Sequence, residues 1–447
     1  MGDTCEAIFY GTAHARRSGK KILLLRRFRF FGYPKIPIVE IYNLQSPYSL
    51  NGPLGKLATF VGNLFITLFF GHITALWNYF LSNGKRLCLY IVTSFLHFVT
   101  NGKVQKKQFI KRYYKDLFFE VCIGAELMGN PNYHKNFSWE ATKAFDWANE
   151  YANIPNFVLP PKKEKRAKEQ LTRMGIDSWY VCLHAREGGF HGDMQNARNS
   201  NIMNCIPAIK AITEAGGWVV RMGDRSMTPL PQMPRVLDYP FSEFKSQPMD
   251  LHLVKNCKFV IAVGGSFVDM GSNLFGKQTV SIGAVELIQT PMPQKNTLVI
   301  PKHVFSKKQG RFLSIKELLE EPQMIFESTE KYSLQDNTPE EILDVIIETM
   351  SAALGKDLEF SPLQLEFIKK RDESIHSYFE AGLPSNYGVA YFSSVEFDTY
   401  HKYRVASRMI GNQGTLGKKY LEQNWHKDQL QKDSSKIYPT TLNGEFN

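Results

Sequence analysis

The chain has 447 residues, 43% of them hydrophobic and 22% charged, which excludes a disordered or fibrous protein and suggests two or three packed domains. Its net charge of +11 favours anionic partners: nucleic acid, an acidic membrane surface or a phosphorylated substrate. Six cysteines lie far apart with no C-x-x-C pair and no metal-ligand spacing, the pattern of free thiols in a reducing cytosol.

The N-terminus carries no apolar secretory stretch, and Glu6 stands where a myristoylation motif needs Ser or Thr. Residues 4–19 read as a helix and 21–25 as a strand. No charged residue occurs between Lys56 and Lys85, a run longer than the ~20 residues that cross a bilayer. Thr59, Asn63, Thr67, Gly71, Thr74 and Asn78 put a thin polar stripe on that run at helical spacing. The stripe favours a core or interfacial seat over a lone spanning helix. A second apolar run, 87–99, leads into a basic stretch from Lys103 to Lys115 with Phe109, Tyr113 and Tyr114 interleaved. Apolar runs beside basic clusters suit peripheral contact with an anionic membrane, here its cytoplasmic face.

The proline-rich connector NIPNFVLPP, residues 153–161, marks a domain boundary near 160. Beyond it strands and helices alternate. Strands are expected at Trp179–Leu183, Trp218–Met222, Phe259–Val263, Thr279–Ile282 and Thr297–Ile300. Helices are expected at Met203–Ala215, Met249–Asn256 and Ser266–Phe275, with two more opened by capping signals at Ser314/Glu317 and Thr338/Glu341. Such alternation gives a mostly parallel sheet covered by helices on both faces. The resulting division is 1–160, an N-terminal domain; 161–355, a Rossmann-like domain; and 356–447, a helical extension with a disordered tail.

Ligands of open α/β sheets bind at the carboxyl ends of the strands, and three strands here end in polar clusters. The first delivers His184 and Arg186 on one side of the chain, followed by Glu187, two glycines and Asp193. A planar arginine fork suits a diphosphate, although Arg186 could also serve an ion pair and His184 a satisfied core position. The second cluster is Arg198-Asn199-Ser200-Asn201, just before a helix start. The third is Arg221-Met222-Gly223-Asp224, whose interior arginine needs an anionic partner, Asp224 or a carboxylate elsewhere. After the next strand, Gly264, Gly265 and Ser266 offer backbone N–H groups at a helix start. Neither a Walker A lysine nor G-x-G-x-x-G occurs, and the Rossmann-like region has no D-x-D, so no metal or other cofactor is expected. A nucleic-acid reading ranks low, since no recognition-helix or RNP-like pattern accompanies the basic residues.

The run from Tyr180 to Arg311, through the blocks LHAREGGFHGD, IPAIKAITEAGGWVVRMGDRSMTPLPQMPRVLDYPFSEFKS and NTLVIPKHVF with GRFLSIKEL in this order, resembles a group of bacterial glycosyltransferases from surface-polysaccharide gene clusters. IFYGTAHARRSGKKILLLRR, IYNLQSPYSL and NTPEEI are similar to the same group. The resemblance implies a GT-B architecture: two Rossmann-like domains with the active site between them and the nucleotide-sugar donor on the second. The acceptor would be a glycan, a polysaccharide or a lipid-linked sugar. His184-x-Arg186 is similar to the H-x-R of GDP-fucose-dependent fucosyltransferases, which implies that Arg186, and with it Arg221, contacts the donor phosphates. Lys245 and Lys302 also match the group, without an implied role. On this reading Arg186 and the Gly265/Ser266 helix start stabilise the departing diphosphate, and Glu187 or Asp193 is the candidate base, either of which could instead fix its loop. The group's Ser-Ser-Gly-like turn is Gly264-Gly265-Ser266 here, and Asn201 stands where an acidic residue is common. Those departures motivate a second reading, a non-catalytic protein that binds sugar nucleotide or polysaccharide.

Overall fold

The computed structural model of the chain describes residues 157–190, 197–263, 266–285, 287, 290, 292–320, 330–381 and 412–426, with scattered positions before 157: 5, 8, 9, 12, 16, 44–47, 49, 57–61, 63, 152 and 153. The strand expected at 21–25, the apolar run 87–99, the basic stretch 103–115 and the tail from 427 lie outside them.

Seven strands form one parallel sheet: β1 (Tyr180–His184), β2 (Trp218–Arg221), β3 (Val236–Asp238), β4 (Val260–Val263), β5 (Thr279–Ala284), β6 (Leu298–Pro301) and, far along the chain, β10 (Thr415–Leu416). Across the sheet the order is β3-β2-β1-β4-β5-β6-β10. Its first six strands follow the doubly wound Rossmann order, 3-2-1-4-5-6. Three further strands, β7 (His303–Ser306), β8 (Arg311–Phe312) and β9 (Tyr332–Gln335), make a small antiparallel sheet in the order β8-β7-β9.

Both faces of the large sheet are buried, which is why its strands read as continuous apolar runs rather than as alternations. Side chains alternate all the same. Val181, Leu183, Val219, Ile261 and Val263 join one core with α2 (Ile206–Glu214), α6 (Pro339–Ala353), α7 (Pro362–Ala381) and α8 (Lys418–Asn424). Tyr180, Cys182, Val220, Val260 and Ala262 join the other with α1 (Pro161–Arg173), α3 (Gln247–Asn256) and the helix after β4. That helix, α4 (Ser266–Asp269), runs on into a π turn over Met270–Leu274. Such turns are uncommon and concentrate near functional sites. Both capping signals form as expected. Thr338 and Glu341 exchange bonds of 2.9 and 3.2 Å at the start of α6. Ser314 and Glu317 do the same, at 3.0 and 3.3 Å, at the start of α5 (Ile315–Glu320).

Two parts of the chain expected to stand apart share these cores. Cys5, Ile8, Phe9 and Thr12, at helical spacing, are buried; Phe9 joins the α2 side and Cys5 and Ile8 join Leu44, Phe157 and Leu159 on the α1 side. Toward the other end, β10 pairs with β6, while Phe367, Ile375, Leu416, Tyr420, Leu421 and Trp425 enter the α6 core. Residues 362–381 and 412–426 therefore complete the layer over β6. Arg371 fastens this closure: it is 1% exposed and donates to the carbonyls of Gly414 at 2.7 Å and Asn412 at 2.8 Å. Arg371→Met strands both buried carbonyls, and chemical denaturation should show a loss of about 2–4 kcal/mol.

Among the described residues no helix is long and apolar enough to cross a membrane, and only 57–61 and 63 of the uncharged run 57–84 are described. Leu57, Phe60 and Val61, at positions i, i+3 and i+4 of that helical segment, are 59, 58 and 54% exposed.

Candidate functional site at the carboxyl edge of the sheet

The connections from β1 run to one side, toward β2 and β3, while β4, β5 and β6 lie on the other. The strand order thus reverses between β1 and β4, and the crevice outside their carboxyl ends is where such sheets take ligands. His184 is paired with Ala262, so the loop after β1 and the turn after β4 leave the sheet side by side.

His184 continues the face of Tyr180 and Cys182 and stacks on Phe267 of α4, ring centroids 5.0 Å apart and planes 13° apart. Burial first, then the nearby Arg221 cation, lowers its pKa to about 4, so the ring is neutral near pH 7. Its folded value lies below the unfolded 6.5, so the folded form binds fewer protons and His184 favours folding above pH 6.5. That contribution is lost as pH falls from 6.5 through 4. An NMR titration of the imidazole should show no protonation at pH 5.5 and a midpoint near 4.

Arg186 follows two residues on. Its carbonyl accepts from the Ser200 N–H at 3.0 Å, which draws the Arg198–Asn201 segment against the exit of β1. The first two sequence clusters are therefore one structural unit. Asn201 caps the short helical turn Ile202–Cys205, accepting from the Met203 N–H at 3.0 Å.

The third cluster plays a different part. Arg221 is 0% exposed and its guanidinium is enclosed. Nη1 meets Asp238 at 2.9 Å, while Nη2 meets Glu187 at 3.3 Å and the Thr228 carbonyl at 3.0 Å. Of the two expected sources of an anionic partner, Asp224 or a carboxylate elsewhere, it is the second that answers, as the pair Asp238 and Glu187. Arg221 is a buried strut between β2, β3 and the β1 loop, which corrects its assignment to the donor phosphates.

The second oxygen of Glu187 accepts from both the N–H and the hydroxyl of Thr228, each at 2.8 Å, so both oxygens are committed to bracing loops. These contacts are the ones the loop-fixing alternative calls for. Asp224 accepts from the Ser226 N–H at 2.8 Å and shapes its own turn. Gly223 sits at φ 137°, where an added Cβ would lie 2.1 Å from the Met227 sulfur. Lys245 is also spoken for, with its Nζ 2.6 Å from Asp250 and 4.8 Å from the centre of the Tyr239 ring. Burial pushes the Asp250 carboxyl above its ordinary value, with Lys245 pulling the other way. Asp193, Gly264 and Gly265 lie outside the described residues, and of Ser266 only the backbone, at the start of α4, is described.

Sequence reading named Lys302 without a role and missed the group it forms with Asp336 and Asn337 on the β5/β6 side of the same edge. Lys302, 5% exposed, pairs with Asp336 at 2.6 Å and donates to the Asn199 carbonyl. Asp336 also accepts from the Asn201 N–H at 3.2 Å. Asn337 accepts from the Gly283 N–H and donates to the Pro301 carbonyl, both at 2.8 Å. Nothing in the sequence signals that Asp336 meets Lys302, since only the fold brings the two together.

The fold and this edge define a doubly wound α/β domain with a polar unit at its switch point. No family model matches the chain, and no curated protein and no solved structure shows a significant match to it.

Proposed function

We propose that the edge between β1 and β4 holds a nucleotide-sugar donor and that the protein is a metal-independent glycosyltransferase. The observation that carries this reading is the position of His184-x-Arg186. The pair leaves β1 at the reversal of strand order, beside the turn that opens α4. An arginine fork there suits the two phosphates, and the neutral, stacked His184 suits a hydrogen bond rather than a charge contact. The run from Tyr180 to Arg311 supports the same class through its resemblance to bacterial polysaccharide glycosyltransferases. In that reading residues 1–160 supply the first domain of a GT-B pair and the acceptor side. The uncharged run 57–84, with Leu57, Phe60 and Val61 exposed, supports a lipid-linked acceptor at the cytoplasmic face of an anionic membrane.

The test is a thermal-shift screen of GDP, UDP, ADP, CMP and their sugar conjugates. One nucleotide should raise the melting temperature, by an amount equivalent to about 2.7 kcal/mol at a hundred times its Kd. No shift with any of them at millimolar concentration removes the reading. The commitment of Glu187 to Thr228 and Arg221 favours one second reading, a protein that binds the donor without transferring it. Donor-dependent release of free nucleotide, with or without an acceptor glycan, separates the two.

A further inference from the structure

We propose that Lys302, Asp336 and Asn337 form a latch that positions the 198–201 segment for the phosphates of the donor. The inference rests on the donor reading above, and all three are positioning residues rather than catalytic ones.

The latch begins with a buried cation. Lys302 is 5% exposed, so its ammonium needs an anion, and Asp336 supplies one at 2.6 Å. Each member of this pair also binds one peptide group of the loop. Lys302 Nζ donates to the Asn199 carbonyl, and the second Asp336 oxygen accepts from the Asn201 N–H. These two peptide groups flank Ser200, whose own N–H donates to the Arg186 carbonyl at 3.0 Å. One ion pair thus fixes the residue that binds the backbone of the H-x-R segment.

Asn337 sets the base of the latch. Its side chain bridges the Gly283 N–H and the Pro301 carbonyl, tying the ends of β5 and β6, and its carbonyl accepts from Asn204 at 3.1 Å. Gly283, at φ +62°, leaves the space: a Cβ there would lie 3.0 Å from the Ser200 hydroxyl oxygen and 3.5 Å from the Lys302 side chain. A buried ion pair is a weak source of stability, since an apolar pair of similar volume often replaces it without loss. What Leu or Met in place of Lys302 cannot supply is a donor to Asn199, and no apolar group in place of Asp336 can hold the N–H of Asn201.

The test uses the full chain carrying Lys302→Met and Asp336→Leu together, which removes both charges and both bonds to the loop at similar volume. GDP, UDP and ADP are titrated, each against its own nucleoside, and amide exchange is followed over residues 199–204. The expected result is a Kd for the nucleoside diphosphate about tenfold weaker, little change for the nucleoside, and lost protection at Asn201 and Asn204. Loss of the phosphate-dependent affinity alone is what a merely structural role would not produce. Diphosphate affinity within twofold of wild type overturns the latch while leaving the donor reading in place. A wild type that binds none of the three overturns the donor reading and with it the positioning role. Amide exchange then still reports whether the pair holds the loop. If the double variant does not fold, Lys302→Met alone, which removes the donor to Asn199 and leaves the 32% exposed Asp336 carboxylate to water, is read by the same diphosphate-against-nucleoside criterion.

Discussion

Asp238→Ala should lower the unfolding free energy by about 3 kcal/mol, at the near end of the range for breaking a buried ion pair. Arg221 is fully enclosed and Asp238 is its closer carboxylate, 2.9 Å against 3.3 Å for Glu187. The substitution leaves a cation without water and with one carboxylate, and it strands the Leu230 N–H, which now donates to Asp238 at 2.8 Å. Glu187 remains, which keeps the loss below the far end of the range, about 5 kcal/mol. The companion variant carries the sign of the argument. Arg221→Met with Asp238→Leu removes both charges from the β2–β3 contact and should recover part of the loss, the remainder being the Leu230 N–H and the Thr228 carbonyl left unpaired and Glu187 left without its cation. Urea denaturation of the two variants decides the matter, with the midpoint moving down for the first and returning toward wild type for the second. Equal losses in both would mean that packing, not charge, holds this edge.

That strut shows where sequence reading stops. An arginine in an otherwise apolar strand announces that a carboxylate is near, and Arg221 was legible as such. Which carboxylate answers is a matter of register: Arg221 is paired with Asp238 across β2 and β3, and β3 is three residues long. So short an edge strand has no periodicity to read. The two-residue strand β10 was invisible for the same reason, and its partner Leu298 lies more than a hundred residues earlier. Lys302 and Asp336 likewise meet only because the antiparallel sheet of β7, β8 and β9 returns the chain to the carboxyl edge. The longer elements were legible because local chemistry sets them. The apolar strands β1, β2, β4, β5 and β6 and the caps at Ser314 and Thr338 fall within a residue or two of where the sequence puts them.

The same contrast separates Arg186 from Arg221 and gives the donor reading its sharpest consequence. Two arginines end neighbouring strands, and residue type alone cannot tell them apart. The fold does so by burial, since Arg221 is enclosed with its carboxylates and Arg186 stands two residues beyond the end of β1. If Arg186 grips a diphosphate through two charge-assisted bonds, truncating it to alanine forfeits about 1.5–3 kcal/mol of binding. Arg186→Ala should then weaken the diphosphate nucleotide that stabilises wild type by roughly 10- to 100-fold, with the melting temperature of the unliganded protein within a few degrees. Arg186→Lys keeps the charge but not the fork and should recover only part of that loss. Calorimetric titration against the nucleoside and its diphosphate measures both. The nucleoside should bind the variants and wild type alike, because the lost contacts are to phosphate. Equal diphosphate affinity in Arg186→Ala would move the phosphates off the Arg186 fork and turn the search to the N–H groups at the start of α4.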